Sequence, residues 1–359
     1  MSVRPHDTVE VGYDELCGAL AAKDLQPLWT QASRLMPEQP IPATLPWLWK
    51  WRTVLPLAER AGQLIDIKRG GDRRVLAFAN PGLHGLPYTS STLWGAFQYL
   101  GPHETAPAHR HSPAALRFVL EGDGVWTTVQ GDACDMSAGD LILTPSGCWH
   151  DHTNGSDRPM VWFDGLDLPL VGALEAVFFE NYPGQQQPVP APHNLSERLY
   201  GGRGAQPLVP GPVSSHSPLL LYRWAHTDEA LSALVDTVGG PMVSLRYTSP
   251  ATGGAVMPTL GCEMHRVLPG SRTAPHRKVG SSIYVVYRGR GHSVINGERF
   301  DWERGDVFVT PSWSTVEHAA AEPADLFAVT DRPVLEALHL FREETFGSQQ
   351  QVVATFEPK

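Results

Sequence analysis

The fold is indicated by the stretch GDLILTPSGCWHDHTN, residues 139–154, whose first seven residues are similar to GDVFVTP, residues 305–311. The two align at an offset of 166 residues, and nearly the same offset relates His109 to His276 and the glycine pair of 122–124 to that of 289–291. Self-similarity at a fixed spacing indicates repeated structural units. The sequence therefore predicts two tandem copies of one domain.

The residue pattern of each copy is typical of β-structure. From about residue 73 to 168, and again from about 241 to 335, short runs rich in Val, Leu, Phe and Trp alternate with Gly, Pro, Asp and Asn. Such runs are typical of antiparallel strands joined by tight turns. The 34 Gly and 32 Pro among 359 residues also favour many turns and few long helices. We expect an all-β protein.

The net charge and the distribution of apolar residues restrict the classes of ligand and partner that we expect. A formal net charge of −10 gives little attraction for nucleic acid or anionic membranes, which leaves a small molecule as the expected ligand. The polar start and the lack of a long apolar run predict a cytoplasmic protein that does not enter a membrane. Four well-separated cysteines indicate reduced thiols.

Composition and apolar spacing divide the chain into five segments. The run PWLWKW at 46–51 ends a stretch with helical apolar spacing, and its tryptophans either pack on a barrel or a neighbouring subunit, which we favour, or bind a substrate ring. LEAVFFENY at 174–182 is predicted to be a short helix. The predicted segments are an N-terminal helical arm (1–70), a first domain (71–170), a helix and Pro-rich connector (171–240), a second domain (241–345) and a tail (346–359).

Two motifs in the first copy point to a metal. Residues 139–154 fit the pattern G-x5-P-x-G-x2-H-x3-N, which resembles the second signature of the cupin superfamily, and the H-x-H of His109 and His111 resembles the first. The resemblance implies a bicupin of two double-stranded β-helix (jelly-roll) barrels. Residues two apart in a strand share a face, so His109, His111 and His150 are predicted to hold a metal inside the first barrel.

Two departures from the cupin pattern restrict the site. No carboxylate lies between His111 and Glu121, where many cupins supply a fourth ligand, so the predicted ligands are all neutral. In the second copy Lys278 stands where the second histidine is expected, and His318 comes late in its stretch. We expect the second barrel to hold no metal. The alternative is that His292 serves as the missing ligand and a metal binds there too.

Three longer stretches indicate which family of cupin proteins the chain resembles. LWGAFQYLGPHETAPAHRH at 93–111, ALRFVLEGDGVWT at 115–127 and MVWFDGLDLPLV at 160–171 resemble gentisate 1,2-dioxygenase and its salicylate and 1-hydroxy-2-naphthoate relatives. The resemblance implies a homotetrameric enzyme with one Fe(II) per subunit in the first barrel. It also implies O2-dependent cleavage of gentisate, between the carboxyl-bearing and the adjacent hydroxyl-bearing ring carbons, to maleylpyruvate.

Three alternatives to this function stay open at this point. Salicylate or 1-hydroxy-2-naphthoate can replace gentisate as the small aromatic hydroxy-acid, since a few pocket atoms set that choice. A non-catalytic metal-binding or ligand-binding bicupin is the alternative from another class. A manganese decarboxylase of the oxalate type is disfavoured, because it expects the missing glutamate ligand.

The remaining candidates are polar or aromatic positions around the metal motif. Arg117 is either a clamp for the substrate carboxylate or an exposed strand arginine, and His152 either assists the substrate hydroxyl or is structural. Asp164 is either an acceptor for the second ring hydroxyl or a turn aspartate. The other predicted substrate-binding residues are Gln98, Trp94, Ala96 and Arg73.

Overall fold

The computed structural model describes residues 5–66, 74–202, 205, 207–208 and 214–358, and within residues 5–11 the backbone alone. The chain divides into two units, residues 1–41 and 42–359. The first unit contains helices α1 (Pro5–Ala21) and α2 (Ala32–Leu35), separated by a single 3-10 turn at Leu28–Thr30. No helix in the described ranges combines the length and the apolar character needed to cross a bilayer.

The second unit contains two β-barrels, each made of two facing sheets. In the first barrel the sheet order is β12-β8-β5-β10-β3-β2 in one sheet and β11-β4-β9-β6-β7 in the other. Its strands are β2 (Val75–Ala77), β3 (Trp94–Leu100), β4 (Thr105–His111), β5 (Ala115–Glu121), β6 (Val125–Val129), β7 (Asp132–Met136), β8 (Leu141–Thr144), β9 (His150–Asn154), β10 (Met160–Leu166), β11 (Phe179–Asn181) and β12 (Leu221–Tyr222).

The second barrel repeats this plan. Its sheets run β1-β19-β16-β21-β14-β13 and β22-β15-β20-β17-β18-β23. Its strands are β1 (Trp47–Trp49), β13 (Met242–Arg246), β14 (Gly261–Val267), β15 (His276–Lys278), β16 (Ser282–Arg288), β17 (Arg290–Ile295), β18 (Glu298–Glu303), β19 (Val307–Thr310), β20 (Val316–Ala320), β21 (Ala324–Thr330), β22 (Glu343–Thr345) and β23 (Ala354–Thr355). The predicted all-β bicupin is confirmed.

The helix predicted at 174–182 is wrong. A helix, α4 (Leu168–Ala173), ends just before this stretch, and residues 179–181 instead form β11. β11 pairs with β4, so that Phe179 lies opposite His111 and Asn181 opposite His109. Backbone hydrogen bonds to this exposed strand edge outweigh the local helical spacing.

Two segments are exchanged between the barrels. β1, which precedes the first barrel in sequence, pairs with β19 of the second, and β12, from the connector, pairs with β8 of the first. The helices that follow them cross back: α3 (Trp51–Leu64) packs on β2 and β3, and α6 (Trp224–Thr237) on β13 and β14. The run at 46–51 is therefore a barrel strand and a helix start, not part of a separate arm.

A buried aspartate anchors each exchanged segment. Asp306 accepts hydrogen bonds from the backbone N–H of Trp51 and from Lys50, and Asp140 accepts them from the N–H of Trp224 and from Arg223. The glycine before each aspartate has a positive φ of 87°, and a Cβ on either would lie within 3 Å of the facing tryptophan. Glycine is thus required by backbone conformation and by close approach.

The two barrels share one apolar core. Phe118 of β5 stacks on Phe327 of β21, with ring centroids 4.2 Å apart, and Trp51 packs edge-on to Phe97 at 5.0 Å. These contacts join strands of both barrels across their facing sheets. Two further short helices complete the second unit: α5 (Leu195–Tyr200) and α7 (Arg332–Ala337).

Replacing Asp306 should test the anchoring role. Asp306→Ala removes the carboxylate that pairs with the buried Lys50 ammonium, so we expect the free energy of unfolding to fall by about 3–5 kcal/mol in a urea titration followed by tryptophan fluorescence. The matched control is Asp301→Ala, an exposed aspartate paired with Arg299, which should change it by less than about 0.5 kcal/mol. Equal losses in the two variants would contradict the anchor.

Candidate active site

Three histidines converge inside the first barrel. His109 and His111 project from β4 with the two-residue spacing of one strand face, and β9 brings His150 directly opposite His109. One ring nitrogen from each histidine lies within 4.8 Å of the other two. The structure thus brings together the three residues that the sequence predicted as metal ligands.

Backbone carbonyls fix the tautomer of all three rings. The Nδ1–H groups donate to the carbonyl oxygens of Pro107, Pro113 and Cys148, at 2.9, 2.7 and 3.0 Å for His109, His111 and His150 respectively. A carbonyl oxygen only accepts, so each Nδ1 carries the proton and each Nε2 keeps its lone pair. Hydrogen bonds of this kind from Nδ1–H to a carbonyl oxygen orient histidine ligands toward a metal.

The electrostatics of the rings also suit a cation. Burial lowers the pKa of His111 to about 4, against the hydrogen bond to Pro113, and holds the pKa of His150 well below its ordinary value. Both rings are therefore neutral near pH 7. The buried Nε2 of His150 has no hydrogen-bond partner among the described residues. An orphaned lone pair inside a three-imidazole group fits a transition-metal ion with neutral donors.

Arg117 faces this group from the opposite sheet. Its side chain is only 4% exposed, Nη1 donates to Thr144 Oγ1 at 2.7 Å, and Nε lies 3.4 Å from Asp164 Oδ1. Its charge contributes to lowering the pKa of His111 and His150. The alternative of an exposed strand arginine is wrong. The guanidinium is held inside the barrel, where a cation can pair with an anionic ligand.

Asp164 lies behind Arg117 and not in a turn. It is directly opposite Arg117 in the β5–β10 pairing, and its Oδ1 also accepts from Trp162 Nε1 at 3.0 Å. Burial raises its pKa to about 6, although Arg117 and Trp162 act in the other direction. The carboxylate that was predicted to accept a ring hydroxyl is thus directed at Arg117 and Trp162.

His152 is buried on the same face of β9 as His150. Its Nδ1 lies 2.9 Å from Thr127 Oγ1, which in turn lies 3.0 Å from Met136 Sδ. The hydroxyl hydrogen of Thr127 can rotate to sulfur or to His152 Nδ1, so this contact fixes the position of the ring and is compatible with either tautomer of the imidazole. Burial and the charge of Arg117 hold the pKa of His152 well below its ordinary value, so the ring is a neutral acceptor.

The other predicted pocket residues follow β3. Trp94, Ala96 and Gln98 share one strand face, with Ala96 opposite Asp164 and Gln98 opposite Trp162 in the β3–β10 pairing. Ala96 and Gln98 are buried and Trp94 is half-buried. They therefore extend the Arg117 side of the interior. Arg73 lies outside the described residues.

The second barrel does not reproduce the three-histidine group. Its strands place Lys278 at the position of His111 and Val316 at that of His150, while His318 matches His152 and not a ligand. His318 has the same kind of partner, since its Nδ1 lies 2.8 Å from Ser293 Oγ. His292, the proposed rescuing ligand, precedes Ser293 on β17 and therefore lies on the opposite strand face. That alternative is wrong.

Several residues of the site were missed from the sequence. Thr144 and Trp162 hold Arg117 and Asp164, and Thr127 contacts the ring of His152. Thr144 belongs to the repeated GDLILTP stretch, and strand parity with Arg117 would have indicated it. No sequence signal marks Thr127, because its contact with His152 depends on the register of β6 against β9.

Known proteins resemble this chain over most of its length. A family profile described as a cupin domain matches residues 96–166. The chain is 47% identical over 338 residues to a gentisate 1,2-dioxygenase of Streptomyces sp., covering 92% of this chain and 94% of that protein. It is 37% identical over 362 residues to a 5-aminosalicylate 1,2-dioxygenase of Comamonas sp., covering 98% and 96%.

A solved structure agrees with the sequence comparisons. The crystal structure of a salicylate 1,2-dioxygenase from Pseudoaminobacter salicylatoxidans, in adducts with gentisate, is 43% identical and superposes with a TM-score of 0.89. The match covers 97% of this chain and 96% of that one. The likeness therefore includes both barrels and the exchanged segments between them.

The neutral histidines should make the stability of the metal-free protein pH-dependent. The folded chain keeps His111, His150 and His152 neutral, whereas the unfolded chain protonates them below about pH 6.5. The unfolded state then binds more protons, so we expect the urea midpoint of metal-free protein to fall as the pH drops from about 6.5 towards 4.

A variant tests which rings carry this effect. His150→Leu removes one buried imidazole. The number of protons taken up on unfolding should fall by about one, so the urea midpoint should decrease less steeply as the pH drops. The control is His103→Ala, since His103 is exposed and pairs only with the exposed Asp157. The same slope in His150→Leu as in the parent protein would contradict a neutral buried ring.

Proposed function

Since the chain belongs to the family of bicupin ring-cleaving 1,2-dioxygenases that includes gentisate 1,2-dioxygenase, we propose that it cleaves gentisate with O2 to maleylpyruvate, using Fe(II). The observation that carries the proposal is the arrangement of three tautomer-fixed imidazoles facing a buried arginine across the barrel interior. Relatives are named for gentisate, salicylate and 5-aminosalicylate, which are all 2-hydroxybenzoates. A carboxyl group beside a phenolic hydroxyl is their common feature.

His109, His111 and His150 are proposed to hold the iron through Nε2. Three neutral ligands leave the full dipositive charge available to an anionic substrate. When bound, iron(II) would supply coordination for the substrate oxygens and electron transfer between the ring and dioxygen. The chain itself keeps the three lone pairs free of protons, since each Nδ1 is bonded to a carbonyl.

Arg117 is proposed to bind the substrate carboxylate. Thr144 and Asp164 hold its guanidinium from behind, so the donors that remain can point into the interior without loss of side-chain entropy on binding. Asp164 then acts through Arg117 as a positioning residue. This is a different role from the ring-hydroxyl acceptor that the sequence suggested.

His152 is proposed to accept the proton of the phenolic hydroxyl as the ring approaches the metal. This role requires Nδ1 to donate to Thr127 Oγ1, which leaves Nε2 as the acceptor. Gln98 is proposed to donate to a substrate oxygen, Trp94 to line the ring pocket, and Ala96 to limit the space close to the ring. Arg73 remains a proposed second cation for the substrate.

We also propose that the protein works in the cytoplasm as a homotetramer. The leucine and methionine side chains that stay exposed on the first unit support assembly: Leu16, Leu25, Leu28, Leu35 and Met36. Exposed apolar side chains grouped in one segment are typical of surfaces between subunits.

Oxygen uptake after anaerobic reconstitution with iron(II) tests the activity directly. We expect uptake with gentisate to exceed that with salicylate, 5-aminosalicylate or 1-hydroxy-2-naphthoate, with loss of the aromatic absorbance of the substrate. His111→Ala should abolish iron binding and uptake together, because it removes one of three ligands. The control, His292→Ala, changes a histidine outside both barrel interiors and should keep both. No uptake by the iron-loaded protein with any of the four acids would exclude the dioxygenase.

Replacing Arg117 tests the carboxylate clamp. Arg117→Leu removes the buried cation. We expect KM for gentisate to rise by a factor that corresponds to a loss of binding free energy on the order of 2–5 kcal/mol, while the iron content is retained. Arg117→Leu combined with Asp164→Asn avoids an unpaired buried carboxylate and should show the same loss of binding. Unchanged steady-state kinetics in the double variant would remove Arg117 from the site.

A further inference from the structure

The second barrel contains a cavity of its own. It has a volume of about 700 Å³ and lies at the end of the barrel that corresponds to the three-histidine group, with Lys278 and His318 in its wall. This volume lies within the range of about 300–1,000 Å³ that is typical of small-molecule sites. The sequence predicted that this barrel holds no metal, and the cavity leaves room in it for a small molecule.

Lys278 brings a cation into this cavity. Among the residues that the structure describes, its ammonium group forms no hydrogen bond and no ion pair within 4.0 Å, although the side chain is half-buried. It occupies the position that His111 has in the first barrel, beside which the metal is proposed to lie. A fixed ammonium group there repels a metal ion and attracts an anion.

A carboxylate faces the same cavity from another strand. Glu263 lies on β14, where Ala96 lies on β3 of the first barrel, and its side chain is 14% exposed. Its carboxylate lies 3.5 Å from His265 Nε2 and 4.0 Å from Arg246 Nε. Burial alone would raise the pKa of Glu263, but the contact with His265 and the charges of Lys278 and Arg246 hold it well below its ordinary value. Glu263 is therefore an ionised acceptor.

The rest of the wall carries charge at Arg246, Arg332 and the exposed Glu343 and is otherwise neutral or apolar. Arg332 pairs with Glu336, and Glu343 lies directly opposite Lys278 in the β15–β22 pairing. Tyr284 takes the position of Arg117 and Ala328 that of Asp164, so the buried ion pair of the first barrel has no counterpart. Pro241, Met242 and Leu245 supply an apolar side. The cavity thus offers a ligand the Lys278 ammonium group, which has no ion-pair partner within 4.0 Å among the described residues, together with the ionised Glu263 and an apolar surface.

We propose that the second barrel is a metal-free binding site for a small hydroxylated carboxylic acid, whose carboxylate pairs with Lys278 and whose hydroxyl donates to Glu263. The ammonium group takes the place of the metal as the cation that the ligand recognises. The inference rests on the proposed function only in the choice of probe, because gentisate has both groups and is the proposed substrate of the first barrel.

Calorimetric titration with gentisate under anaerobic conditions tests this second site. We expect the iron-loaded protein to bind two equivalents per chain, and the His111→Ala protein, which lacks the metal, to keep one. Adding Lys278→Met to His111→Ala should weaken that remaining binding at least tenfold, whereas Lys278→Arg should retain it. The control is Arg342→Met, which removes an exposed cation outside the cavity and should leave the titration unchanged.

The outcomes separate the two proposals. Circular dichroism and thermal unfolding should show that each variant is folded before it is titrated. One equivalent in the iron-loaded protein, or binding to His111→Ala that Lys278→Met does not weaken, would overturn the second site even if gentisate is cleaved. Binding that depends on Lys278 in a protein that cleaves no tested acid would support the second site and leave the proposed function contradicted.

Discussion

The buried aspartates at the start of β8 and β19 are the interactions on which the rest of this structure depends. Each accepts hydrogen bonds from a segment that belongs, by sequence, to the other half of the chain. Asp306 is fully buried and Asp140 is 2% exposed, so their partners Lys50 and Arg223 compensate charges that could not otherwise be buried. The two barrels are thereby fixed to one another, and their facing sheets share a core.

A rigid frame matters because the site is assembled from both sheets of the first barrel. The histidines come from β4 and β9, whereas Arg117 and Asp164 come from β5 and β10. β8 connects the anchor to the site, since it begins next to Asp140 and ends at Thr144, which holds Arg117. The geometry between metal ligands and arginine therefore depends on the same strand that is fixed by the exchanged segment.

The sequence was sufficient for features that repeat or follow strand parity. The 166-residue offset predicted two barrels, and the H-x-H spacing together with His150 predicted the metal ligands. It was insufficient for contacts set by long-range pairing. The strand at 179–181 forms because β4 offers a free edge, and β1 pairs with a strand more than 250 residues away. Local propensity contains neither fact, so a helix and an arm were predicted instead.

The two barrel interiors solve the same electrostatic problem in different ways. A cation at the closed end of an apolar barrel is tolerated only if its neighbours are neutral or negative. In the first barrel, carbonyl oxygens hold three imidazoles in a neutral tautomer, and Arg117 is compensated by Asp164. In the second, Lys278 lies among neutral His276 and His318 and opposite the ionised Glu263. Lys278 in place of His111, and Tyr284 and Ala328 in place of Arg117 and Asp164, thus change the type of cation that the barrel interior holds.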